Sequence, residues 1–427
     1  METKELYQKY LSVRKVSTDT RHITPGSVFF ALKGPNFNAN QFANEALDKG
    51  ASLVVLDDKK FATNSRMVVV NDSLEALQQL ATFHRNQLQI PVIGLTGSNG
   101  KTTSKELVYG VLSKKYKTFA TRGNLNNHIG VPLSILSIDD THEIAVIEMG
   151  ANHVGEIAVL CGIANPTHGF ITNIGKAHIG TFGSFENIIR GKSELYHHLI
   201  QHKGTVWINS ENRILSNMAK RFDAPLMYPT KGDYYNSELV ETDPYIKVKD
   251  EKGQVIATHL MGAYNFENVA VALCIGKYFE VDAAKAAEAI AEYQPANMRS
   301  EVVRKNTNTI ILDAYNANPS SMEAAIKNLK SIKADNKVVI LGDMYELGDQ
   351  TEREHGELGK LILDAGIPTA YLCGEFTKWT KDIVPHARYF QSREELIQEI
   401  ESKPIKNSTI LIKASRGMGL EKIMDFL

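Results

Sequence analysis

LTGSNGKTTSKE (residues 95–106) follows the apolar run PVIGL (91–95) and opens a helix-length stretch, TTSKELVYGVLSKK (102–115). A buried strand, a glycine turn and a helix make the setting of a phosphate loop. Glycines let backbone N–H groups approach phosphates closely, and the helix N-terminus adds positive potential. The common form is G-x-x-x-x-G-K-[ST]. Here only two residues separate Gly97 from Gly100, ahead of Lys101 and Thr102. The shortened loop is read as a nucleotide-phosphate site made of Gly97, Ser98, Asn99, Gly100, Lys101, Thr102 and Thr103. In that reading Lys101 reaches the β- and γ-phosphates and the Thr102 hydroxyl binds Mg²⁺. A chance match of this pattern is expected in on the order of one in a hundred chains of this length.

Bulk properties narrow the class. At 427 residues the chain exceeds one ordinary core, which implies two or three domains. A net charge of −1 carries no basic field for nucleic acid. Cys161, Cys274 and Cys373 are far apart and fit neither a zinc spacing nor a disulfide framework, which points to a reducing compartment. METKELYQKYLSVRK is too polar for a signal peptide, and no run of about 18 apolar residues exists to span a membrane. The expectation is a cytoplasmic enzyme.

The pattern of elements predicts an α/β protein in three segments. In residues 1–85, ASLVVLD (51–57) and MVVVN (67–71) read as strands, and SLEALQQLATFHRNQL (73–88) reads as a helix capped by Ser73. In 86–297, PVIGL, YKTFA, EIAVIEM, HGFITN and GTVWIN alternate with helix-length stretches, which argues for a mostly parallel sheet flanked by helices. YIKVKD and QVIATHL flank Lys252-Gly253 as a hairpin, and helices follow at 265–279 and 282–293. A second, smaller α/β unit begins near residue 297 and occupies 298–427. Its strands are TIILD (309–313), KVVILGD (337–343), TAYLCG (369–374) and STILIKA (408–414). Its helices are placed at 319–333, 351–365, 393–402 and 418–426.

Further candidates sit at strand ends. Glu148 closes EIAVIEM; it reads either as a strand-end surface acid or as a Mg²⁺ ligand beside the loop. His178 lies in the glycine-rich TNIGKAHIG and Lys192 on ENIIRGKSELY; on residue type alone, both read as solvated or structural. Asp313 ends a strand ahead of the turn Asn316, Asn318, Pro319, with Ser320 or Ser321 as a cap. That joint is either a well-made turn or half of a nucleotide site, with Asp313 on the ribose. KASRGMGLE (413–421) is a similar turn, suited to an anion.

Taken in order, TGSNGKTTSKE, NLNNHIGVPLSIL, EMGANHVGEI, NIGKAHIGTFGS, RGKSELY, GAYNFENVAVAL, MRSEVV, DAYNANPSSMEAAI, LGDMYELGDQTEREH and KASRGMGLE resemble the Mur ligases of bacterial cell-wall synthesis over essentially the whole chain. The shortened loop is that family's own form. The resemblance implies three domains: an N-terminal α/β uridine-nucleotide domain, a central ATPase domain with a P-loop-type sheet, and a C-terminal Rossmann-like α/β domain that closes over ATP. It implies transfer of the ATP γ-phosphate to a carboxylate and attack on the acyl phosphate by an amine. DAYNANP, LGDMYELG and KASRGMG are similar to those of the member that adds D-Ala-D-Ala to UDP-N-acetylmuramoyl-tripeptide.

By the same resemblance, Mg²⁺ is held by Thr102, Glu148, His178 and a carbamylated Lys192. Asn265 and Asn268 are adenine-side residues, with helix capping as their plain alternative. Arg299 contacts ATP, Asp313 takes the ribose, and Tyr315 and Asn316 lie beside the nucleotide. Asn126 and Asn127 position the muramoyl-peptide or phosphates; Lys413 and Arg416 hold a peptide carboxylate. In the first segment Thr20, Arg21, Lys33 and Gly34 are the uridine-side residues, although Asn38-Ala39-Asn40 replaces the family's usual D-G-H. The family implies a monomer. Two other readings stay open: an amide ligase adding another amine, and a nucleotide-binding switch.

Overall fold

The computed structural model describes residues 2–296 and 298–427. It is an α/β protein built on three parallel or largely parallel sheets, as the alternation of elements implies. The predicted start of the third segment, residue 297, lies outside the described residues.

The N-terminal sheet has four parallel strands in the order Val16–Ser17, Val28–Phe30, Leu53–Leu56, Met67–Val69. VFF and LVVL are buried on both faces, which is what a parallel strand between helical layers requires. The helix Ser73–Arg85 is capped by Asp72, whose side chain accepts from the Glu75 N–H; Ser73 is its first residue. Asp72 wins because its carboxylate both accepts that bond and favours the positive helix end. This helix also ties the first sheet to the second. Arg85 Nε donates to Ala164 O at 2.8 Å, and His84 Nε2 lies 2.8 Å from Ile138 O.

The central sheet has six parallel strands in the order Leu226–Tyr228, Thr205–Asn209, His168–Ile171, Val92–Thr96, Ile144–Glu148, Thr118–Ala120. Val92–Thr96 comes first in the chain yet lies inside the sheet. Later strands are added on both sides of it, so the strand order reverses there. Its carboxyl end is a topological switch point, where ligands of open α/β sheets bind. Leu107, Val108, Val111 and Leu112 of the helix Lys101–Ser113 are buried with Val269, Ala270 and Leu273 of the helix Asn265–Tyr278. Each of these leucine and valine side chains contributes about 1.5–3 kcal/mol on burial. The predicted hairpin is present but has three strands, with Glu238–Glu241 added to Lys247–Lys249 and Val255–Ala257.

The third sheet runs Glu301–Lys305, Asn308–Leu312, Thr409–Lys413, Lys337–Gly342, Thr369–Cys373, Arg388–Phe390. Only the first pair is antiparallel. The helix Pro319–Ser331 is capped by Asn318 in a capping box, with Ser321 as the reciprocal partner; neither serine is the cap itself. Residues 418–426, expected as an α-helix, form 3₁₀ turns instead, Arg416–Met418 and Leu420–Phe426. Gly419 between them sits at φ 59°, a left-handed break that an α-helix cannot carry through.

Candidate active site

The phosphate loop bends sharply off the switch-point strand. Gly97 (φ 148°) and Gly100 (φ 76°) adopt backbone conformations that L side chains rarely take. A Cβ on Gly97 would also collide with Thr172 Oγ1, and one on Gly100 would lie 2.6 Å from Asn268 Oδ1. The loop is held from one side by the segment after the strand His168–Ile171. Ser98 N donates to Asn173 O (2.9 Å), Asn99 N to Asn173 Oδ1 (3.0 Å), and Thr172 Oγ1 to Asn99 O (2.7 Å). Ser98 Oγ both donates to Gly175 O and accepts from Gly175 N, each at 2.9 Å. Lys101 folds over its own loop, donating to Gly97 O at 2.7 Å and Ser98 O at 3.2 Å. Burial lowers its pKa, while the Glu148 carboxylate acts in the opposite direction.

Glu148 is buried at the end of its strand. Its Oε2 accepts from Thr102 Oγ1 at 3.0 Å and its Oε1 from Asn126 Nδ2 at 2.7 Å. A hydroxyl and a carboxylate side by side are hard oxygen donors of the kind Mg²⁺ takes. Among the described residues no group of three or more His, Cys, Asp or Glu side chains is arranged to hold a metal. His178 and Lys192 are engaged elsewhere. The His178 Nδ1 bonds Glu346 from the third unit. Lys192 is 1% exposed, donates to Ala151 O at 3.0 Å and lies 5.3 Å from the Phe182 ring centroid. Burial, with the Lys101 charge adding to it, pushes the Lys192 pKa down to about 7.

Asn265 and Asn268 do not cap their helix, whose N-cap is Tyr264. Asn265 Nδ2 donates to Met261 O (2.7 Å), Asn268 Nδ2 donates to Asn265 Oδ1 (2.8 Å), and Asn268 Oδ1 accepts from Ser104 Oγ (2.7 Å). They lock the helix against the loop. Asn127 Oδ1 accepts from Ile129 N and Gly130 N at 3.1 and 2.9 Å.

The third unit roofs the loop. Asn318 Nδ2 donates to Asn99 Oδ1 (2.9 Å), Ser320 Oγ accepts from Lys176 N (2.9 Å), and Lys176 Nζ pairs with Glu354 (2.7 Å). Between the two units lies a cleft of about 900 Å³. Its lining includes Ser98–Thr103, Asn126, Asn127, Glu148, His178, Asn265, Asn268, Arg299, Asp313, Tyr315, Asn316, Lys413 and Arg416. Asp313 Oδ2 accepts from Lys413 Nζ at 2.6 Å, and Asp313 Oδ1 from Ser300 N at 3.2 Å. Lys413 is buried and also bonds Asn316 O, so its charge is spent on the Asp313 turn.

Gly97 and Lys192 are absent from the lining, as are the first-segment residues Thr20, Arg21, Lys33 and Gly34. Arg21 pairs with Asp19 (2.6 Å) and Lys33 with Asp57 (2.7 Å). Asn40, in place of the family's usual histidine, is fully buried. It donates to Asn38 Oδ1 (2.7 Å) and Asp57 Oδ1 (2.8 Å) and accepts from Asp57 N (3.0 Å). Sequence reasoning missed Thr172, Asn173 and Glu346, and it placed Asn318 in a turn without its bond to the loop. The available signal was TNIG at the end of HGFITN, a polar turn placed beside the loop.

A glycine loop at the switch point of a parallel sheet, roofed by a second α/β unit that adds an acid and two arginines, defines a nucleotide-using enzyme with a shared two-unit cleft. Family models agree: residues 95–276 match the Mur ligase middle domain and 298–416 the Mur ligase, glutamate ligase domain. The UDP-N-acetylmuramoyl-tripeptide–D-alanyl-D-alanine ligase of Bacillus subtilis is 34% identical, with 97% of this chain and 93% of that protein aligned. The enzyme of that name from Escherichia coli is 31% identical over 99% and 95%. Among solved structures, MurF from Acinetobacter baumannii superposes with a TM-score of 0.87 at 30% identity, covering 97% of this chain and 93% of that one. MurF from Thermotoga maritima in complex with ADP gives 0.86 at 28% identity, covering 97% of both chains. The chain belongs to the Mur ligase family.

Proposed function

We propose that this protein joins D-alanyl-D-alanine to UDP-N-acetylmuramoyl-tripeptide at the expense of ATP. The observation that carries the reading is the cleft itself: the phosphate loop, Glu148, Asp313, Arg299 and Arg416 come together across two units in a chain similar end to end to ligases of that name. In this reading residues 1–85 bind the uridine nucleotide, 86–297 form the ATPase core, and 298–427 close over ATP and the amine. Thr20, Arg21, Lys33 and Gly34 serve the uridine end. A monomer in the cytoplasm is the expected working form. No helix among the described residues is long and apolar enough to cross a membrane, which agrees with action on water-soluble substrates.

The chemistry follows from charge. A carboxylate is a poor acyl donor because oxide is a poor leaving group. The tripeptide's terminal carboxylate oxygen attacks the γ-phosphorus, the bond to the β-phosphate oxygen breaks, and ADP leaves. The neutral amine of D-Ala-D-Ala then attacks the acyl carbon. Phosphate departs with the former carboxylate oxygen, and the amine gives up a proton. Two anions must meet in the first step, so cations must face them. Lys101 would leave its loop carbonyls for the β- and γ-phosphates. Thr102 and Glu148 would hold Mg²⁺, which supplies positive charge at the phosphates when bound. Asp313 would accept from the ribose hydroxyls, and Asn265 and Asn268 would face the adenine.

A lysine ammonium cannot ligate a metal, but a carbamate can. With its pKa near 7, Lys192 has the neutral amine that adds CO₂ available at neutral pH. As a carbamate it would add a carboxylate to this side of the cleft, with His178 as the remaining ligand once it is released from Glu346.

The test is phosphate release from ATP and Mg²⁺, with the tripeptide nucleotide and D-Ala-D-Ala added singly and together. Release requiring both, with a UDP-MurNAc-pentapeptide mass, supports the assignment. Release restored only by another amine would replace it with a different ligase, and indifference to both substrates would leave a nucleotide-binding protein.

A further inference from the structure

The segment that enters the third unit holds Arg299 between two residues in left-handed backbone, Met298 (φ 58°) and Ser300 (φ 54°). Neither is glycine, so the conformation is strained and must be held from outside. The holds are on the page. Ser300 is buried, its N–H donates to Asp313 Oδ1 at 3.2 Å, and its hydroxyl lies 2.8 Å from Tyr264 Oη. On the other side, Tyr315 N donates to Met298 O at 3.2 Å. The result is a crank that turns the Arg299 side chain onto the Tyr315 ring, its guanidinium carbon 3.8 Å from the ring centroid.

Arg416, from the turn after the last strand, approaches the same ring at 5.5 Å, and its Nη1 lies 3.5 Å from Met298 Sδ. Neither arginine forms an ion pair among the described residues, and Arg299 Nε is buried with no hydrogen-bond partner. Two guanidinium groups without an ion-pair partner among the described residues therefore lie against one aromatic ring, in the wall of the cleft. Like charges repel, and the ring is the one group that both guanidinium groups share among the described residues. The electron-rich ring of Tyr315 attracts both, the half-buried Arg299 at closer range than the exposed Arg416.

We propose that Tyr315 is a positioning residue whose ring holds Arg299 and Arg416 as a paired cation cradle for the terminal phosphoryl group in the cleft. The proposal rests on the ATP-dependent reading above, but it concerns an aromatic residue that acts through two arginines. The ring, and not the phenol hydroxyl, is the working part, because no hydrogen bond from the hydroxyl is required by the geometry.

The experiment compares wild type, Tyr315→Phe and Tyr315→Leu by calorimetric titration with ADP and with the non-hydrolysable ATP analogue AMP-PNP, each with Mg²⁺. Thermal melting of each variant is measured alongside. The readout is the ratio of the two affinities, which isolates the terminal phosphoryl group and needs no turnover. Tyr315→Phe should keep the wild-type ratio. Tyr315→Leu should reduce the preference for AMP-PNP over ADP by roughly 2- to 30-fold, the range for a held cation on an aromatic face; the ratio cancels any loss common to both nucleotides. In the double variant Arg299→Ala/Arg416→Ala, adding Tyr315→Leu should cause little further loss.

An unchanged ratio in Tyr315→Leu would overturn the proposal, and so would an equal loss in Tyr315→Phe, which would shift the role to the hydroxyl. If Tyr315→Leu melts below assay temperature, Tyr315→Trp replaces it, and retention of the ratio there is the required result. If the wild type shows the ratio but no ligation, the function assigned above fails while the cradle stands.

Discussion

The N-terminal unit and the cleft handle their charges in opposite ways. In the first, the candidate cations are already matched by partners inside the same unit: Arg21 by Asp19, and Lys33 by Asp57. In the cleft, Arg299 and Arg416 share an aromatic ring and form no ion pair among the described residues, and the Lys101 ammonium donates to the carbonyls of its own loop. A matched charge gains little from a ligand, because the ligand must displace a partner. An unmatched one gains the full interaction when an anion arrives. On the function proposed above, the cleft carries the chemistry and the N-terminal surface carries recognition. Substitutions should therefore separate into large effects on rate and small effects on substrate affinity.

The largest break should come at Lys101. Lys101→Met removes the cation proposed to reach the phosphates, and phosphate release should fall by roughly 10²–10³-fold, in line with loss of one electrostatic group that stabilises the transition state. A steady-state assay at saturating substrates checks it. Lys192 comes next. Lys192→Ala should lose roughly 10–100-fold, with partial recovery in added short carboxylates. Its pH behaviour follows from the lowered pKa: below about 7 the amine takes a proton and cannot add CO₂. Wild-type activity should therefore fall on the acid side of that value, and added bicarbonate should partly restore it. Full activity of Lys192→Ala without additive would remove the carbamate from the account.

A smaller effect is expected where the two units touch. Gly180 N donates to Glu346 O at 2.9 Å, and a Cβ on Gly180 would lie 2.5 Å from Gly348 N. Gly180→Ala forces the third unit off its seat, at about 1–3 kcal/mol for overpacking. The turnover number should drop while ADP affinity, read by titration, stays near wild type. In the N-terminal unit, Asn40→Ala should act on stability alone. Breaking its buried bonds to Asn38 and Asp57 costs about 1–3 kcal/mol. The melting temperature should fall while the activity of the folded protein is kept. Lys33→Ala, at the exposed end of the same network, should raise KM for the uridine substrate by no more than a few-fold. A rate loss there comparable to that of Lys101→Met would erase the contrast between the regions.

Much of the fold was legible because its chemistry is local. Gly97, Gly100, Lys101 and Thr102 lie within six residues, and the flanking strand and helix announce themselves by apolar spacing. Glu148 was legible for a similar reason, as an acid closing an apolar run. What stayed hidden depends on distant partners. Asn173 grips the loop from 74 residues away, and Asn318 bonds Asn99 across 219. The edge strand Glu301–Lys305 was not foreseen, since EVVRK is short and only half-buried and gains its structure by antiparallel pairing with Asn308–Leu312. The crank around Arg299 left no trace in the sequence, because Met298 and Ser300 are not residues that signal positive φ. The C-terminal turns were read as one helix because KIMDF continues an apolar period that Gly419 interrupts.

The central claim is that the cleft activates a carboxylate by phosphorylation before an amine arrives. The most direct measurement uses UDP-MurNAc-tripeptide with ¹⁸O in its terminal carboxylate, followed through ligation by mass analysis of the released phosphate. The account predicts one ¹⁸O atom in the phosphate for each amide formed, since the attacking oxygen leaves with phosphorus. Phosphate free of ¹⁸O, with amide still formed, would contradict it.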